Sequence, residues 1–273
     1  MKILVTGAKG MIGSQLINSL HDAGYDVIGV DRVKGDNISQ VDLADIKKLE
    51  EIAKDADRFI HLAALAHTEG EPDLTWKRYK HINVDCAKNV FEVAGDRPVL
   101  FISTIDVFGF FDGKNPVNAT TPIHPVSNYG KSKAMAEKEC KKLKHYTIFR
   151  FSPVYTDEVK RDIQKRYYLK YPDIAYVIGE GSYYEVLNIK KAIQSMMDWC
   201  KEFPKNDIRI IKDEKPMWTP DYIKFEKEAG RAKIVLHIPR WVVNSGYSII
   251  KGLFGENEKI YLLNKAVHPL RSK

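Results

Sequence analysis

Tyr129 and Lys133 lie four residues apart in the segment Ser127-Asn-Tyr-Gly-Lys-Ser-Lys133. On a helix this spacing places both side chains on one face, where the ammonium group favours the deprotonated form of the phenol. A free tyrosine is a poor base at neutral pH because its pKa is about 10. A phenol beside a lysine comes closer to the range in which general acid/base catalysis is efficient. The pair predicts a proton-transfer site, and a second motif is needed to say which reaction it serves.

That second motif is a glycine loop near the start of the chain, Thr6-Gly-Ala-Lys-Gly-Met-Ile-Gly13. It follows an apolar strand, Lys2–Thr6, and opens a helix whose apolar residues recur at helical spacing as far as Leu20. Strand, glycines and helix in this order are typical of dinucleotide binding. Together with the tyrosine and lysine they predict nicotinamide redox chemistry.

Each glycine of the loop has an expected task. Gly7 allows the tight turn, Gly10 lets a pyrophosphate approach the backbone, and Gly13 lets the helix pack closely on the sheet. The phosphates are expected at the helix N-terminus, beside Met11 and Ile12. The alternative is a glycine-rich surface turn, and the order of the surrounding elements favours the cofactor.

An acidic residue closes the second predicted strand, Asp26–Val30. The carboxylate of Asp31 can hydrogen-bond both hydroxyls of an adenosine ribose, and it repels a 2′-phosphate. The adjacent Arg32 acts in the opposite direction, because a guanidinium can pair with that phosphate. We expect Asp31 to dominate, so the predicted cofactor is NAD, with NADP as the less favoured alternative.

The composition narrows the class of protein. The first strand begins at residue 2 and no apolar run is long enough to cross a bilayer, which predicts a cytoplasmic protein without a signal peptide. The cysteines, Cys86, Cys140 and Cys200, fit no zinc or disulfide pattern, so no metal is expected. The net charge of +7 is spread over polar helix faces and no nucleic-acid-binding motif occurs, so no nucleic-acid partner is expected.

Strands and helices alternate as far as about residue 155. Further strands are predicted at 37–41, 58–63, 98–103 and 146–151, and helices at 44–54, at 74–94 and around Tyr129. This alternation predicts an α/β protein with a Rossmann-type, doubly wound parallel sheet over residues 1–155.

At this point the motifs resemble the extended short-chain dehydrogenase/reductase family, the NAD-dependent epimerase/dehydratase group that acts mainly on nucleotide sugars. The family's TGxxGxxG loop is matched in full, and Pro125-Val-Ser-Asn-Tyr-Gly-Lys-Ser-Lys133 matches its PxSxYGxSK pattern almost completely. Ser103-Thr-Ile-Asp-Val-Phe-Gly109 resembles its SSxxVYG segment, which aligns Thr104 with the catalytic serine or threonine. The resemblance covers about residues 1–155.

The resemblance also implies further cofactor contacts. In the family, an acidic-apolar pair after the third strand contacts adenine, the segment after the fourth strand lies along the cofactor, and the exit of the sixth strand leads toward the nicotinamide. The residues at these positions are Asp42, Leu43, Leu62, Ala63, Ala64 and Pro153. Asn83 matches an asparagine that is usually structural.

Thr104 is the expected hydrogen-bond donor to the reacting oxygen, because ligands of such a sheet lie at the carboxyl ends of its strands. Ser103 competes for this role, but alternation along the strand turns its side chain to the opposite face. Family members that dehydrate sugars carry an Asp-Glu pair at the next two positions, where this chain has Ile105 and Asp106. Isoleucine cannot protonate a leaving hydroxyl, so the resemblance favours an epimerase or ketoreductase over a dehydratase. We expect Asp106 to be a solvated or hydrogen-bonded loop carboxylate.

The match weakens beyond residue 155. Residues 184–203 resemble the segment that returns to the nucleotide domain, and we assign 156–273 otherwise to a smaller C-terminal substrate cap. A basic group in the cap fits either a substrate diphosphate or a solvated helix face, and consists of Lys160, Arg161, Lys165 and Arg166. The segment 239–254 could form an amphipathic helix at a membrane, but we expect it to pack within the cap, so membrane contact is not predicted.

Together with these residues, the resemblance implies an NAD-dependent epimerase that acts at carbon 4 of a UDP-hexose or UDP-N-acetylhexosamine, with Thr104, Tyr129 and Lys133 as catalytic residues. Lys133 would also hold the ribose hydroxyls of the cofactor. The alternatives are an NAD(P)H-dependent 4-ketoreductase of a nucleotide sugar, another alcohol or steroid-type dehydrogenase, and a non-catalytic nucleotide sensor. The complete Thr/Tyr/Lys set argues against the sensor. Fold alone cannot choose the substrate, and a homodimer is left open.

Overall fold

A computed structural model describes residues 1–66, 74–156, 161–164, 166–169 and 173–273 of the chain. The chain divides into two compact units. Unit 1 consists of Met1–Val107, Asn128–Phe151 and Lys190–Ile211. Unit 2 consists of Phe108–Ser127, Ser152–Ile189 and Lys212–Lys273.

The elements are numbered in chain order. The strands are β1 Lys2–Thr6, β2 Asp26–Asp31, β3 Ile38–Gln40, β4 Arg58–His61, β5 Val99–Thr104, β6 Tyr146–Phe151, β7 Val154–Tyr155, β8 Ile174–Ile178, β9 Tyr183–Tyr184, β10 Leu187–Asn188, β11 Asp207–Ile211, β12 Met217–Trp218 and β13 Ile234–Ile238. The helices are α1 Met11–Asp22, α2 Ile46–Ala53, α3 Trp76–Lys80, α4 Cys86–Ala94, α5 Asn128–Cys140, α6 Arg161–Gln164, α7 Ile189–Lys201, α8 Thr219–Glu228, α9 Arg240–Phe254 and α10 Glu258–Val267. A π-helical turn, His81–Asp85, joins α3 to α4, and a 3₁₀ turn, Ile105–Phe108, follows β5.

Unit 1 is built on a seven-stranded sheet in the order β11-β6-β5-β4-β1-β2-β3. Every pairing in this sheet is parallel. The chain order reverses at β1, which lies between β2 and β4, and ligands of such sheets bind at this switch point. The α/β class and the Rossmann-type, doubly wound parallel sheet predicted from the sequence are confirmed.

The core of unit 1 explains why the sequence pattern was informative. Leu4, Phe59 and Phe101 from the strands are buried in one cluster with Leu49 of α2 and Phe91 of α4. Parallel strands covered by helices are buried on both faces and read as nearly continuous apolar runs. The strands β1, β4 and β5 have this pattern, and the sequence predicts each of them to within a residue or two.

Two features of unit 1 differ from the sequence-based expectation. The sheet was expected to end at β6, but β11 pairs with β6 as a seventh strand. All residues of β11 are half-buried and Arg209 interrupts its isoleucines, so the segment lacks an apolar run. The helix expected at 74–94 is interrupted by the π-helical turn that contains Asn83.

Unit 2 contains the short two-stranded sheets β10-β7, β12-β9 and β13-β8. One apolar cluster joins Tyr167, Ala175, Tyr184 and Ile223. A second cluster joins Tyr247 of α9 to Ile260 and Val267 of α10.

Among the helices formed by the described residues, none combines the length and the apolar character needed to cross a membrane.

The junction of β1 and α1 leads to a stability prediction. A Cβ on Gly13 would lie 2.1 Å from the carbonyl oxygen of Gly7, and a backbone oxygen cannot rotate away as a side chain can. We expect Gly13→Ala to lower the free energy of unfolding by about 1–3 kcal/mol, the usual cost of overpacking. Urea denaturation followed by circular dichroism measures this loss.

The matched control is Gly252→Ala. Gly252 lies in α9 with open space where a Cβ would go. Alanine has the higher helix propensity, so this variant should be unchanged or more stable by up to about 1 kcal/mol. An unchanged stability of Gly13→Ala would show that the junction tolerates the extra carbon.

Candidate active site

The glycine loop lies at the switch point between β1 and β4. Gly7 has a φ angle of +75°, a left-handed conformation that glycine adopts readily. A Cβ at Gly7 would lie 2.8 Å from the backbone nitrogen of Ala63. The loop therefore makes the tight turn expected of Gly7, with the segment after β4 packed directly against it.

The N-terminus of α1 faces this turn without a side-chain cap. Gly10 is the N-cap residue, and its extended backbone carries no hydrogen-bonding side chain. Its N–H donates to the Gly7 carbonyl at 3.0 Å, and its carbonyl accepts from the Ser14 N–H at 3.0 Å. The first-turn amides, including those of Met11 and Ile12, have no acceptor within the helix. Such amides, at the positive end of the helix dipole, form a site for a phosphate.

Asp31 is held beside this loop by backbone donors. Its Oδ2 accepts from the Lys9 N–H at 2.9 Å, and its Oδ1 accepts from the Val33 N–H at 3.0 Å. A carboxylate offers about four lone-pair sites, so two amides leave capacity for ribose hydroxyls. Arg32 is exposed, and its carbonyl accepts from Gln40 Nε2 at 3.1 Å.

The segment after β4 is fixed on two sides. The N–H of Leu62 donates to the Thr6 carbonyl at 3.3 Å, and the N–H of Ala63 donates to Thr6 Oγ1 at 3.3 Å. Leu65 exchanges two hydrogen bonds with the Asn83 side chain, at 2.7 and 3.0 Å. Ala64 lies between these two anchors, so the whole segment runs beside the glycine loop. The structural role expected for Asn83 is consistent with these contacts.

The remaining predicted cofactor residues lie in two places. Asp42 Oδ1 accepts from the Ala44 N–H at 2.9 Å, and the Leu43 carbonyl accepts from Asn89 Nδ2 at 2.8 Å, in the turn before α2. Pro153 belongs to unit 2, where its carbonyl accepts from the Leu187 N–H at 3.0 Å. A contact of these residues with a cofactor stays a prediction.

Tyr129 lies in the first turn of α5 and is half-buried, with its ring centroid 6.4 Å from that of Tyr79. Ser132 Oγ donates to the Tyr129 carbonyl at 2.8 Å and accepts from Asn83 Nδ2 at 2.9 Å. Asn83 therefore joins the start of α5 to the segment after β4. The sequence analysis assigned no role to Ser132, although Ser132 is one of the residues that the PxSxYGxSK pattern specifies.

The two hydroxyls at the end of β5 lie on opposite faces, as alternation along the strand requires. Ser103 is buried and its Oγ donates to Glu137 Oε1 at 2.7 Å. Thr104 is half-buried, and its Oγ1 accepts from the Asp106 N–H at 3.2 Å. Ser103 is thus committed to the core, which favours Thr104 as the hydroxyl for a ligand. Asp106 was expected to be either solvated or hydrogen-bonded. Its side chain is buried, so it is not a solvated carboxylate.

Lys133 is almost fully buried, and its Nζ lies 4.1 Å from the centroid of the Phe101 ring. Burial lowers the pKa of Lys133 to about 7, while the negative charge of Glu137, one helical turn further on, acts to raise it. Near neutral pH the charge of Lys133 therefore depends on its neighbours.

Glu137 is itself part of a buried ion pair that the sequence analysis missed. Arg150 Nε and Nη2 donate to Glu137 Oε1 and Oε2 at 3.0 and 2.8 Å, and neither side chain is exposed by more than 2%. Bidentate, charge-assisted hydrogen bonds of this kind fix geometry as well as adding energy. The sequence does contain one feature that could have indicated a role for Glu137. Tyr129, Lys133 and Glu137 follow one another every four residues, which places them on one helix face.

His61 is another buried titratable group near Lys133. Burial, with a smaller effect from the charge of Lys133, lowers the pKa of His61 to about 3. Its Nδ1 lies 2.6 Å from Thr6 Oγ1, and its ring stacks on Phe101 at a centroid distance of 5.7 Å. His61 is therefore neutral near pH 7 and adds no positive charge beside Lys133.

Of the four basic residues predicted to form a group in the cap, only Arg166 has a described side chain. The Arg166 guanidinium lies 5.1 Å from the centroid of the Tyr184 ring. Lys160, Lys165 and the side chain of Arg161 lie outside the described residues. A contact of this group with a diphosphate stays a prediction.

The charge of Lys133 can be tested without a substrate. Glu137→Gln removes a negative charge that favours the ammonium form, so we expect the pKa of Lys133 to fall below 7. Proteins labelled with ¹³C at the lysine side chain and titrated by NMR report this value, and the Lys133 signal is assigned as the one lost in Lys133→Arg. The variant should also lose about 3 kcal/mol of stability, because the buried Arg150 guanidinium no longer faces the negative charge of Glu137.

Glu139→Gln is the control for this titration. Glu139 lies on the same helix but pairs with Lys142 at the surface, at 2.6 Å. Its removal should leave the Lys133 titration unchanged. If Glu137→Gln also left it unchanged, Glu137 would act on α5 through packing alone.

Comparisons with known proteins agree with this geometry. Among curated proteins, the uncharacterized UDP-glucose epimerase YtcB of Bacillus subtilis is 29% identical over 190 residues. The match covers 60% of this chain and 60% of that protein, so the chain spans less than two thirds of this relative's length.

Solved structures share the fold over more of the chain. The UDP-Glc/GlcNAc 4-epimerase of Campylobacter jejuni gives a TM-score of 0.75 at 18% identity, and the alignment covers 98% of both chains. The UDP-glucuronic acid 4-epimerase of Bacillus cereus in complex with NAD gives a TM-score of 0.71 at 22% identity, covering 88% of this chain and 87% of that one.

The profile of the NAD dependent epimerase/dehydratase family matches residues 3–190, which is more than half of the chain. The matched span includes the glycine loop, Asp31 and the helix that carries Tyr129 and Lys133. The chain belongs to the NAD dependent epimerase/dehydratase family.

Proposed function

We propose that this protein is an NAD-dependent 4-epimerase of a nucleotide sugar, with a UDP-hexose or UDP-N-acetylhexosamine as substrate. The observation that carries the proposal is the placement of Tyr129 and Lys133 one turn apart on α5, in the same unit as Thr104 at the carboxyl end of β5. This is the set needed to move a proton to and from a hydroxyl group beside a nicotinamide.

The residues of unit 1 fit NAD. A Cβ at Gly7 or Gly13 would fill space that the turn needs, and the uncapped N-terminus of α1 supplies donors for a pyrophosphate. The fixed carboxylate of Asp31 suits a ribose without a 2′-phosphate. When bound, NAD would accept a hydride from the sugar carbon and later return it. The cofactor contacts proposed for Asp42, Leu43 and the 62–64 segment extend this site within unit 1, and the contact proposed for Pro153 rests on the resemblance alone.

The chain's own residues would handle the proton. Tyr129, as phenolate, takes the proton of the 4-hydroxyl while the carbon–hydrogen bond is broken, and gives it back when hydride returns to the opposite face. Lys133, as ammonium, stabilises the phenolate and holds the ribose hydroxyls. Thr104 donates a hydrogen bond to the reacting oxygen. Glu137 favours the charged form of Lys133 that this cycle requires.

The named relatives support 4-epimerisation as the outcome. The relatives described above act on UDP-glucose, UDP-GlcNAc or UDP-glucuronic acid by their names, and one was crystallised with NAD. Ile105 stands where dehydratases of the family carry an acid, and it cannot protonate a leaving hydroxyl. The cytoplasmic location stays a prediction, and the question of a homodimer stays open.

Incubation with candidate sugars tests this proposal. An epimerase regenerates its NAD⁺ in every turnover, so we expect NAD to copurify and to be released on denaturation. The purified protein should interconvert 4-epimers from a panel of UDP-hexoses and UDP-N-acetylhexosamines without added cofactor, measured by chromatography. Tyr129→Phe should lower turnover by about 100-fold or more while it keeps its bound NAD, since losing a general acid/base has that effect.

The other outcomes of the panel separate the alternatives. Reduction of a 4-keto sugar only with added NADH or NADPH would identify a reductase, because a reductase must exchange its cofactor. Protein without nucleotide that converts no sugar would overturn the proposal. Near-normal activity of Tyr129→Phe would remove Tyr129 as the proton carrier.

The cofactor preference gives a separate prediction. The Asp31 carboxylate repels a 2′-phosphate, so calorimetric titration of nucleotide-free protein should show tighter binding of NAD⁺ than of NADP⁺. Asp31→Ala should narrow the gap, and Arg32→Ala should widen it, because Arg32 is the group that could pair with the phosphate. A preference of the unmodified protein for NADP⁺ would show that Arg32 governs the site.

A further inference from the structure

Unit 2 carries an exposed apolar surface on its last two helices. We call it the C-terminal apolar face, and it consists of Trp241, Val242, Ile249, Leu253, Phe254, Leu262 and Leu263. The exposed fractions of Trp241, Leu253 and Phe254 are 72%, 73% and 69%. Large apolar side chains grouped in this way mark an interaction surface more often than single exposed ones do.

The packing of α9 leaves this face free. Tyr247 of α9 is buried with Ile260 and Val267 of α10, and Val243 and Ile250 pack against the same cluster. One side of α9 therefore packs within unit 2, as expected for the segment 239–254. The other side carries Trp241, Ile249 and Leu253 at intervals of eight and four residues, which is a single helical stripe. A helix that is apolar on both sides usually has a second apolar environment.

The charge around this face points to the nature of that environment. Residues 240–267, which form α9, α10 and the turn between them, contain four Lys and Arg against two Glu, a net charge of +2, and the 50 C-terminal residues, 224–273, carry +6 of the chain's net charge of +7. Lys259 is exposed on α10, one turn before Leu262 and Leu263. A second copy of the chain would bring the same positive charge to a two-fold interface, and like charges oppose that pairing. An anionic surface satisfies both the apolar and the basic groups.

We propose that the C-terminal apolar face docks α9 in the plane of an anionic phospholipid bilayer. Trp241, Leu253 and Phe254 lie at the boundary of headgroups and acyl chains, where tryptophan and phenylalanine are favoured on interfacial helices. Lysines such as Lys259 lie against lipid phosphates. This attachment is peripheral, and it does not depend on the proposed enzymatic reaction.

Vesicle binding of the full chain tests the proposal. We expect the protein to sediment with vesicles of phosphatidylcholine and phosphatidylglycerol at a ratio of three to one, and not with vesicles of phosphatidylcholine alone. The double variant Trp241→Ser/Leu253→Ser should bind at least about tenfold more weakly, since the binding strength follows the buried apolar area. Phe203→Ser is the matched control, because Phe203 is 93% exposed but belongs to unit 1. It should bind as the unmodified protein does.

A charge variant tests the electrostatic part. Lys259→Glu should weaken binding to the anionic vesicles by about fivefold or more, as expected for a basic residue at such a surface. Lys47→Glu changes the charge equally on an exposed position of α2 in unit 1, and should have a much smaller effect. Brominated lipids should quench the fluorescence of the unmodified protein but not that of Trp241→Phe, which locates the contact even if the double variant fails to fold.

Several results would overturn the proposal. The proposal is wrong if the protein does not bind anionic vesicles, or if it binds neutral vesicles equally well. It is also wrong if a folded double variant binds as strongly as the unmodified protein. Light scattering tests whether the C-terminal apolar face instead joins two copies of the chain. If the double variant converts a dimer into a monomer and vesicles bind neither form, the face joins two copies of this chain.

Discussion

The buried ion pair between Glu137 and Arg150 is the interaction on which the candidate site depends. It joins α5 to β6, and the Ser103 hydroxyl extends it to β5, so one carboxylate connects three elements. Removing one partner of such a pair leaves an uncompensated buried charge, which usually costs about 3–5 kcal/mol. A movement of α5 relative to β6 would separate Glu137 from Arg150 and would carry the same cost in stability. The ion pair therefore holds Tyr129 and Lys133 in a fixed direction, and its carboxylate also favours the charge on Lys133.

A second constraint connects α5 to the glycine loop. Gly7 lies against the backbone of Ala63, and Leu65 exchanges hydrogen bonds with Asn83. Asn83 in turn donates to Ser132 on α5. The π-helical turn containing Asn83 thus stands between the turn that fits a pyrophosphate and the helix that carries the proposed base. A single chain of contacts sets the distance between these two parts of the site, with no need for a ligand to bring them together.

The sequence predicted the features that depend on local pattern. Apolar runs predicted β1 to β6, the three glycines predicted the turn after β1, and the four-residue spacing predicted the shared face of Tyr129 and Lys133. It did not predict contacts that depend on residues far apart in the chain. Thr6 and His61 are 55 positions apart, and the pairing of β11 with β6 joins Asp207 to Thr147. Glu137 and Arg150 each look like surface residues until the fold buries them together.

The reaction type depends on a much smaller part of the chain than the fold does. The frame formed by β1, β4, β5 and α5 carries the residues of the proposed redox reaction, and the family to which the chain belongs is named for both epimerases and dehydratases. By the resemblance, family members that dehydrate sugars carry an acid directly after the position of Thr104, and here that position is Ile105 in a 3₁₀ turn. The turn itself is held by the hydrogen bond from the Asp106 N–H to Thr104 Oγ1, which does not involve the side chain at position 105. A substitution there can change the chemistry while the frame and the proposed base stay in place.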